Sequence, residues 1–450
     1  MSFLKYNKEI LILIIYILFA SCESDNTILL PDEEEVILTT DQITVIEPGY
    51  TDDMVLITPF TDGRTSYLMD RLGHITHVWS SSSPGFMGYL REDGSLVRPY
   101  RTNLDNGIYI GGKTGGIEII DKDNNVVWQW TLDTTTETLH HDIALLPNGN
   151  ILASVWEVKD RTECISNGRN PMTIEDDRLI IDKVIEIQPV GSNQANIVWE
   201  WSLWDHLVQN FDNTKLNFGS NNNGNKFDIN QSSEGSNYSH INGLDYISSL
   251  DQIIINSRVL DEFIIIDHAL TTQEAAADRG GRYNKGGDIL YRWGNPSSYN
   301  SGDESDQMLH DQHDATFVGN NEFSTGTFLV FDNQDDVTFS TVKEINIPVS
   351  ANGNYNDLPV TGNSPIAPVW SYSSTDITSI RTSGAQRLPN GNTLITSTSG
   401  NIIREINNNS EILWEFDATV EVDGVLEINS SGFKSRSYEK TYPGVIALGL

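Results

Sequence analysis

Two segments about half the chain apart match almost letter for letter, LPNGNIL at Leu146 to Leu152 and LPNGNTL at Leu388 to Leu394. Asn-Gly between apolar runs predicts a tight hairpin, with both turn residues accepting positive φ. Weaker versions follow at LREDGSLV (Leu90 to Val97), DYISSLDQIII (Asp245 to Ile255) and TFVGNNEFSTGTFLV (Thr316 to Val330). Each has a companion strand carrying tryptophan after a turn: GHITHVW to Trp79, DNNVVWQW to Trp130, NQANIVWEW to Trp201, GGDILYRW to Trp293 and NNNSEILWEF around Trp414. Almost no 3.6-residue amphipathic pattern interrupts them, so the chain is expected to be all-β. A recurring unit of roughly 50 to 100 residues with this order of turn, Trp strand and hairpin is the signature of a β-propeller blade. Five units hold complete hairpins, and a sixth blade is expected where the C-terminal region meets an N-terminal strand.

The repeat also sets a register. Eight residues before each hairpin turn stand Phe86, His141, His240, His313 and Ser383. Three consecutive blades thus place histidine at one blade position, in a chain with nine histidines in 450 residues. If that position begins the strand nearest the axis, the three imidazoles converge at one mouth of the central channel. His310 lies three residues before His313 and falls in the incoming loop. Asp142 and Asp314 follow their histidines and, by strand alternation, are expected on the opposite side as blade hydrogen-bonding groups. The 99 residues from His141 to His240 exceed the 73 from His240 to His313. The excess is the polar stretch 210–238, either a lid or a surface loop. Segments 295–307 and 349–368 are expected to border the same mouth.

Charge excludes one class of partner. There are 63 acidic against 28 basic residues and no basic cluster, so nucleic-acid binding is not expected. At the N-terminus, Lys5 and Lys8 precede the apolar run Ile10 to Ala20, which ends at Ser21-Cys22. Such a run is short for a membrane span and fits a secretory signal. The small residues before Cys22 resemble a lipobox, so residues 1–21 are expected to be a lipoprotein signal, Cys22 the lipidation site, 22–40 a tether and 41–450 the propeller. Of two cysteines only Cys164 would then remain, and no intramolecular disulfide could form.

The segments HHDIALLPNGN (His140 to Asn150), HINGLDY (His240 to Tyr246) with INSR ending at Arg258, QHDATF (Gln312 to Phe317) and the LPNGNTL hairpin together resemble the bacterial aryl-sulfate sulfotransferases, six-bladed propeller enzymes that work without PAPS. The resemblance runs over roughly Tyr67 to Phe416. It implies that a sulfuryl group passes from an aryl sulfate to a phenol in two steps through a sulfurylated histidine, with no cofactor and no metal. Residue by residue, it makes His313 the nucleophile, and His240, Asn242 and Arg258 the groups holding sulfuryl oxygens. His141 becomes the remaining axial histidine, with His140 one residue out of register as the alternative. Ser383, at the register position of the last hairpin, joins Asn242 and His140 as a candidate substrate contact. The family's N-terminal β-sandwich is expected to be shortened or absent here, which favours a monomer, and the lipid anchor implies export to the bacterial outer membrane, facing periplasm or exterior.

The chemistry fits these residue types. A neutral imidazole attacks without first losing a proton and leaves readily, while arginine offers fixed donors to anionic oxygens. Histidine also suits proton exchange with the two phenols. Two other readings stay open from sequence: a metal-dependent propeller lyase using the three histidines, and a surface-tethered binding propeller without turnover.

Overall fold

In a computed structural model the described residues are 42–450 except 61–62, 222–223, 232, 321–324, 337–338, 356–365 and 419–429. The expected signal, tether and lipidation site at Cys22 lie outside them. Six antiparallel sheets follow one another around an axis, as the repeat predicts. The third blade is typical, with Glu137–Leu145 innermost, then Ile151–Asp160, Arg178–Val190 and Gln194–Ser202. The LPNGN hairpins join the first and second strands of the third and sixth blades. Only their glycines, Gly149 (φ +87°) and Gly391 (φ +91°), adopt positive φ; the preceding asparagines do not. The turn is therefore not the two-residue type expected but a wider one closed by Leu146 N to Asn150 O and Leu388 N to Asn392 O.

The asparagines have another task. Asn150 donates through Nδ2 to Glu186 on the third strand of its blade, and Asn392 does so to Glu405 at the equivalent place. Each glutamate then reaches a cation of the next blade: Glu186 meets His268 at 3.1 Å and Glu405 meets Arg71 at 3.2 Å. The repeated motif thus ties hairpin to blade and blade to neighbour.

The tryptophans act the same way at the outer rim. Trp128, Trp201, Trp293 and Trp414 donate through Nε1 to the carbonyls of Gln194, Gly287, Ile366 and Arg71, each at or before the outermost strand of the following blade. The large ring buries apolar area between sheets while its N–H finds a partner, which is why tryptophan suits this position. The fifth blade, which lacked an obvious Trp strand in sequence, carries Trp370 there.

Closure uses both ends of the chain. Arg436–Tyr438 is the innermost strand of the first blade, paired with Met54–Ile57, while Ile43–Ile46 adds a fifth strand outside Ile412–Asp417 of the sixth. Blade-to-blade packing is apolar; Leu152, Ile181 and Trp201 of the third blade form one buried cluster with Ile253 and Ile264 of the fourth. Burying each such side chain contributes about 1.5–3 kcal/mol.

Candidate active site

The axial ends of the innermost strands are distorted. His141 (φ +43°) and His240 (φ +51°) occupy the left-handed region, and the strand register slips beside each of them. A bulge of this kind turns a side chain away from the regular alternation. His141, His240 and His313 consequently face one cavity of about 400 Å³, together with Arg258. The rings of His141 and His240 are 4.7 Å apart, and Phe433 lies 6.2 Å from His141 and 5.7 Å from His313. Phe60, Phe86 and Phe433 pack into one aromatic wall, with Phe86 6.0 Å from Phe60 and 5.4 Å from Phe433.

Hydrogen bonds fix the state of His313. Asn333 donates its amide hydrogens to the carbonyls of Ser379 (2.7 Å) and Thr382 (2.8 Å), which turns its oxygen toward the ring. That oxygen, 2.7 Å away, and the Asp311 carbonyl, 3.0 Å away, are both acceptors for Nδ1. Nδ1 must then carry the hydrogen, leaving the Nε2 lone pair free to accept from Thr382 N at 3.1 Å. Burial pushes the His313 pKa down to about 4, against the pull of Asn333. His313 is therefore a neutral ring with its basic nitrogen on the Thr382 side of the cavity.

The other two histidines are also held neutral. Burial, then Arg258 and the neighbouring histidines, depresses His240 well below the usual range. Asn237 Nδ2 donates to its Nδ1 at 2.9 Å, so Nε2 carries hydrogen. Burial, then the neighbouring histidines and Arg258, likewise depresses His141. Its Nδ1 lies 3.0 Å from Nδ1 of His140, whose Nε2 is 2.8 Å from a carboxylate oxygen of Asp182. His140 itself stacks flat on Trp156, 4.2 Å away. With hydrogen on His140 Nε2 facing the carboxylate, His141 donates from Nδ1 and keeps Nε2 basic. Gly112 makes room for that ring: a β-carbon there would fall 1.9 Å from His141 Nε2.

A sequence profile described as Arylsulfotransferase (ASST) matches residues 39–430. The chain belongs to the arylsulfotransferase family. Membership indicates sulfotransfer with aryl sulfates and phenols as the substrate class. No curated protein matches the chain significantly. Solved structures are similar only at a distance. A protein of unknown function from Bacteroides caccae has 9% identity and TM-score 0.48, covering 86% of this chain and 99% of that one. The virginiamycin B lyase from Staphylococcus aureus has 12% identity and TM-score 0.38, covering 84% of each chain. Likenesses this remote carry no argument about activity.

Within this family member, three expected substrate contacts lie away from the cavity. Asn242 is fully buried, with Nδ2 donating to the Gln312 carbonyl at 2.9 Å and its oxygen accepting from Asn256. It braces the backbone before His313. His140 is 1% exposed and sits behind His141, and of the two only His141 lines the cavity. Ser383 is buried and donates its N–H to the Phe433 carbonyl at 2.9 Å; its neighbours Arg381 and Thr382 line the cavity instead. His310 does not line the cavity either. Among the described residues, none of 295–307 or 349–368 lines it. The 210–238 stretch does contribute, through Glu234 and Asn237 at its end.

Arg258 enters the cavity bound to two carboxylates, Glu234 at 2.8 Å and Asp311 at 2.6 Å, which fix its direction. Its charge beside three imidazoles opposes a cation in the same place. Among the described residues, no group of three or more His, Cys, Asp or Glu is arranged to hold a metal.

Asp142 and Asp314 stay out of the histidine cavity and act as hydrogen-bonding groups between blades, as their alternation predicts. Asp142 accepts from Leu244 N and Asp314 from Ala385 N, and Lys434 Nζ meets Asp142 at 2.7 Å and Asp314 at 2.9 Å. Arg436 binds both oxygens of Asp314, at 2.9 and 2.5 Å. Burial alone would raise the Asp314 pKa, but Arg436 and Lys434 hold it well below the usual carboxylate range. Phe433, Lys434 and Arg436 escaped the register because no hairpin turn follows the C-terminal strand. Asn333, Asp182 and Gly112 had no local signal at all.

Proposed function

We propose that this chain transfers a sulfuryl group from an aryl sulfate to a phenol through a covalent intermediate on His313, without PAPS or another cofactor. The observation that carries the reading is the hydrogen bonding at Nδ1 of His313, which leaves Nε2 as the nucleophile once it gives up the Thr382 N–H. Nε2 attacks sulfur, the N–S bond forms, the S–O bond to the aryl group breaks, and its electron pair leaves on the phenolate. The ring becomes cationic, and its Nδ1–H donates to Asn333 and the Asp311 carbonyl, which stabilise that charge.

Arg258 and the Nε2–H of His240 bind the sulfuryl oxygens, and each such donor typically contributes about 100- to 1000-fold in rate. The transition state of such a transfer is loose, so positioning and charge stabilisation dominate. In the second half, His141 Nε2 takes the proton of the acceptor phenol. The phenolate attacks sulfur, the N–S bond breaks, and neutral His313 returns. The aryl ring is held by Phe60, Phe86 and Phe433. The signal-like N-terminus and Cys22 support export with a lipid anchor at the outer membrane.

Stopped-flow mixing with a chromogenic aryl sulfate tests the reading. A burst of one phenol per protein without acceptor, steady turnover only with a phenol, and one sulfuryl group on the His313 peptide by mass spectrometry are expected. A His313→Ala protein that keeps the burst would overturn it.

A further inference from the structure

The cavity lining holds three arginines and one carboxylate, Glu234, which is already paired with Arg258. Besides Arg258, its lining includes Arg101 and Arg381, both with exposed side chains. Arg101 ends the strand Leu96–Arg101 of the second blade and lies 5.3 Å over the Phe86 ring. Arg381 immediately precedes Thr382, whose N–H meets His313. The two arginines therefore approach the aromatic wall from different blades, one at Phe86 and one beside the nucleophile.

Neither guanidinium makes an ion pair or side-chain hydrogen bond with another described residue. That is unusual in a chain with more than two acids per base. Arg71, Arg98, Arg292, Arg404 and Arg436 are all matched to carboxylates elsewhere. Arg258, in the same cavity, is matched twice. Two unmatched guanidinium groups beside a ring-binding wall are suited to an anion on the ligand, since arginine recognises carboxylate and sulfate oxygens through paired donors. Stacking on Phe86 holds the Arg101 plane without consuming its N–H donors.

We infer that the aromatic substrate carries a second anionic group, held at the cavity mouth by Arg101 and Arg381 while its sulfate or hydroxyl reaches His313. This rests on the transferase reading above and narrows it to anionic phenols and their sulfates. The net negative charge of the protein would otherwise repel such molecules, so the two arginines supply the local attraction.

The test pairs two acceptors, 3-(4-hydroxyphenyl)propanoate and its primary amide, with 4-nitrophenyl sulfate as common donor. The carboxylate is expected to be favoured in kcat/KM by about tenfold at low salt, and less at high salt. In the double variant Arg101→Gln, Arg381→Gln the preference should shrink to within about twofold. A sulfonate in place of the carboxylate should behave like the carboxylate; if only one is favoured, recognition is of that group's shape rather than its charge and the inference fails. Equal use of carboxylate and amide by the unaltered protein, or a preference that survives in the double variant, also overturns it. A nitrophenolate burst without acceptor reports the transferase reading separately. Should no burst occur, calorimetric titration with the same two phenols still decides: tighter carboxylate binding lost in the double variant retains the anion site, and equal binding removes it.

Discussion

The Nδ1 atoms of His140 and His141 lie 3.0 Å apart, so one ring must donate to the other. The Asp182 carboxylate, 2.8 Å from the far side of His140, sets the direction, and Ser239 Oγ and Ile241 N donate to its other oxygen. In the proposed mechanism this orients His141 as the base, through residues that lie behind it. Asp182→Asn is expected to slow the acceptor half-reaction by about 100-fold while the donor burst persists. Separate rapid-mixing measurements of the two half-reactions, across pH, check this; equal slowing of both would indicate general damage.

Gly112 is the spacer for the same ring. A methyl group there would strike Nε2 and Cε1 of His141 and would also have to adopt φ +89°. Gly112→Ala should therefore lower acceptor turnover at least as much as Asp182→Asn. Single-turnover kinetics with the purified variant measure it.

In the proposed mechanism His313 attacks as a neutral ring, and burial pushes its pKa down to about 4. The donor burst rate should stay level from pH 8 to about 5 and fall as pH drops through about 4, well below an ordinary histidine near 6.5. An acid limb near 6.5 would contradict the buried site. Brief pH-jump stopped-flow reads it before acid unfolding.

Lys434 compensates two buried carboxylates; in Lys434→Met Arg436 still binds Asp314, but Asp142 is left without a cation. A loss of about 3–5 kcal/mol is expected for breaking such a pair. Because Asp314 has a depressed folded pKa, its share is present above the unfolded value near 3.9 and is lost as pH falls below it. The stability gap between the unaltered protein and the variant should be constant above about pH 4 and narrow below it. Denaturant titrations at several pH values check both.

His268 titrates in the opposite sense. Burial works against its charge, but Asp251 at 2.7 Å and Glu186 at 3.1 Å raise its pKa to about 9. Its contribution is complete below the unfolded value near 6.5 and is lost as pH rises through about 9. His268→Gln should remove that alkaline loss, seen in denaturation curves between pH 6 and 10.

Much of this was legible in the linear chain. Hairpin and tryptophan repeats are local, and each blade restates the same strand order, so the all-β propeller and the shared position of His141, His240 and His313 follow from counting residues. Arg258 came from the resemblance, as the arginine eighteen residues after the His-x-Asn at His240, and not from counting blades. Tertiary structure alone decided what lies around them. Asp182, Asn333, Phe433 and Lys434 reach the axis from other strands or from the C-terminus, at separations no local pattern encodes. Alternation turned Asp142 and Asp314 away from the cavity, but the cations they meet come from the C-terminal strand. Packing, not spacing, buried Asn242, His140 and Ser383 behind the cavity, because a side chain's neighbours are set by the blades that close around it.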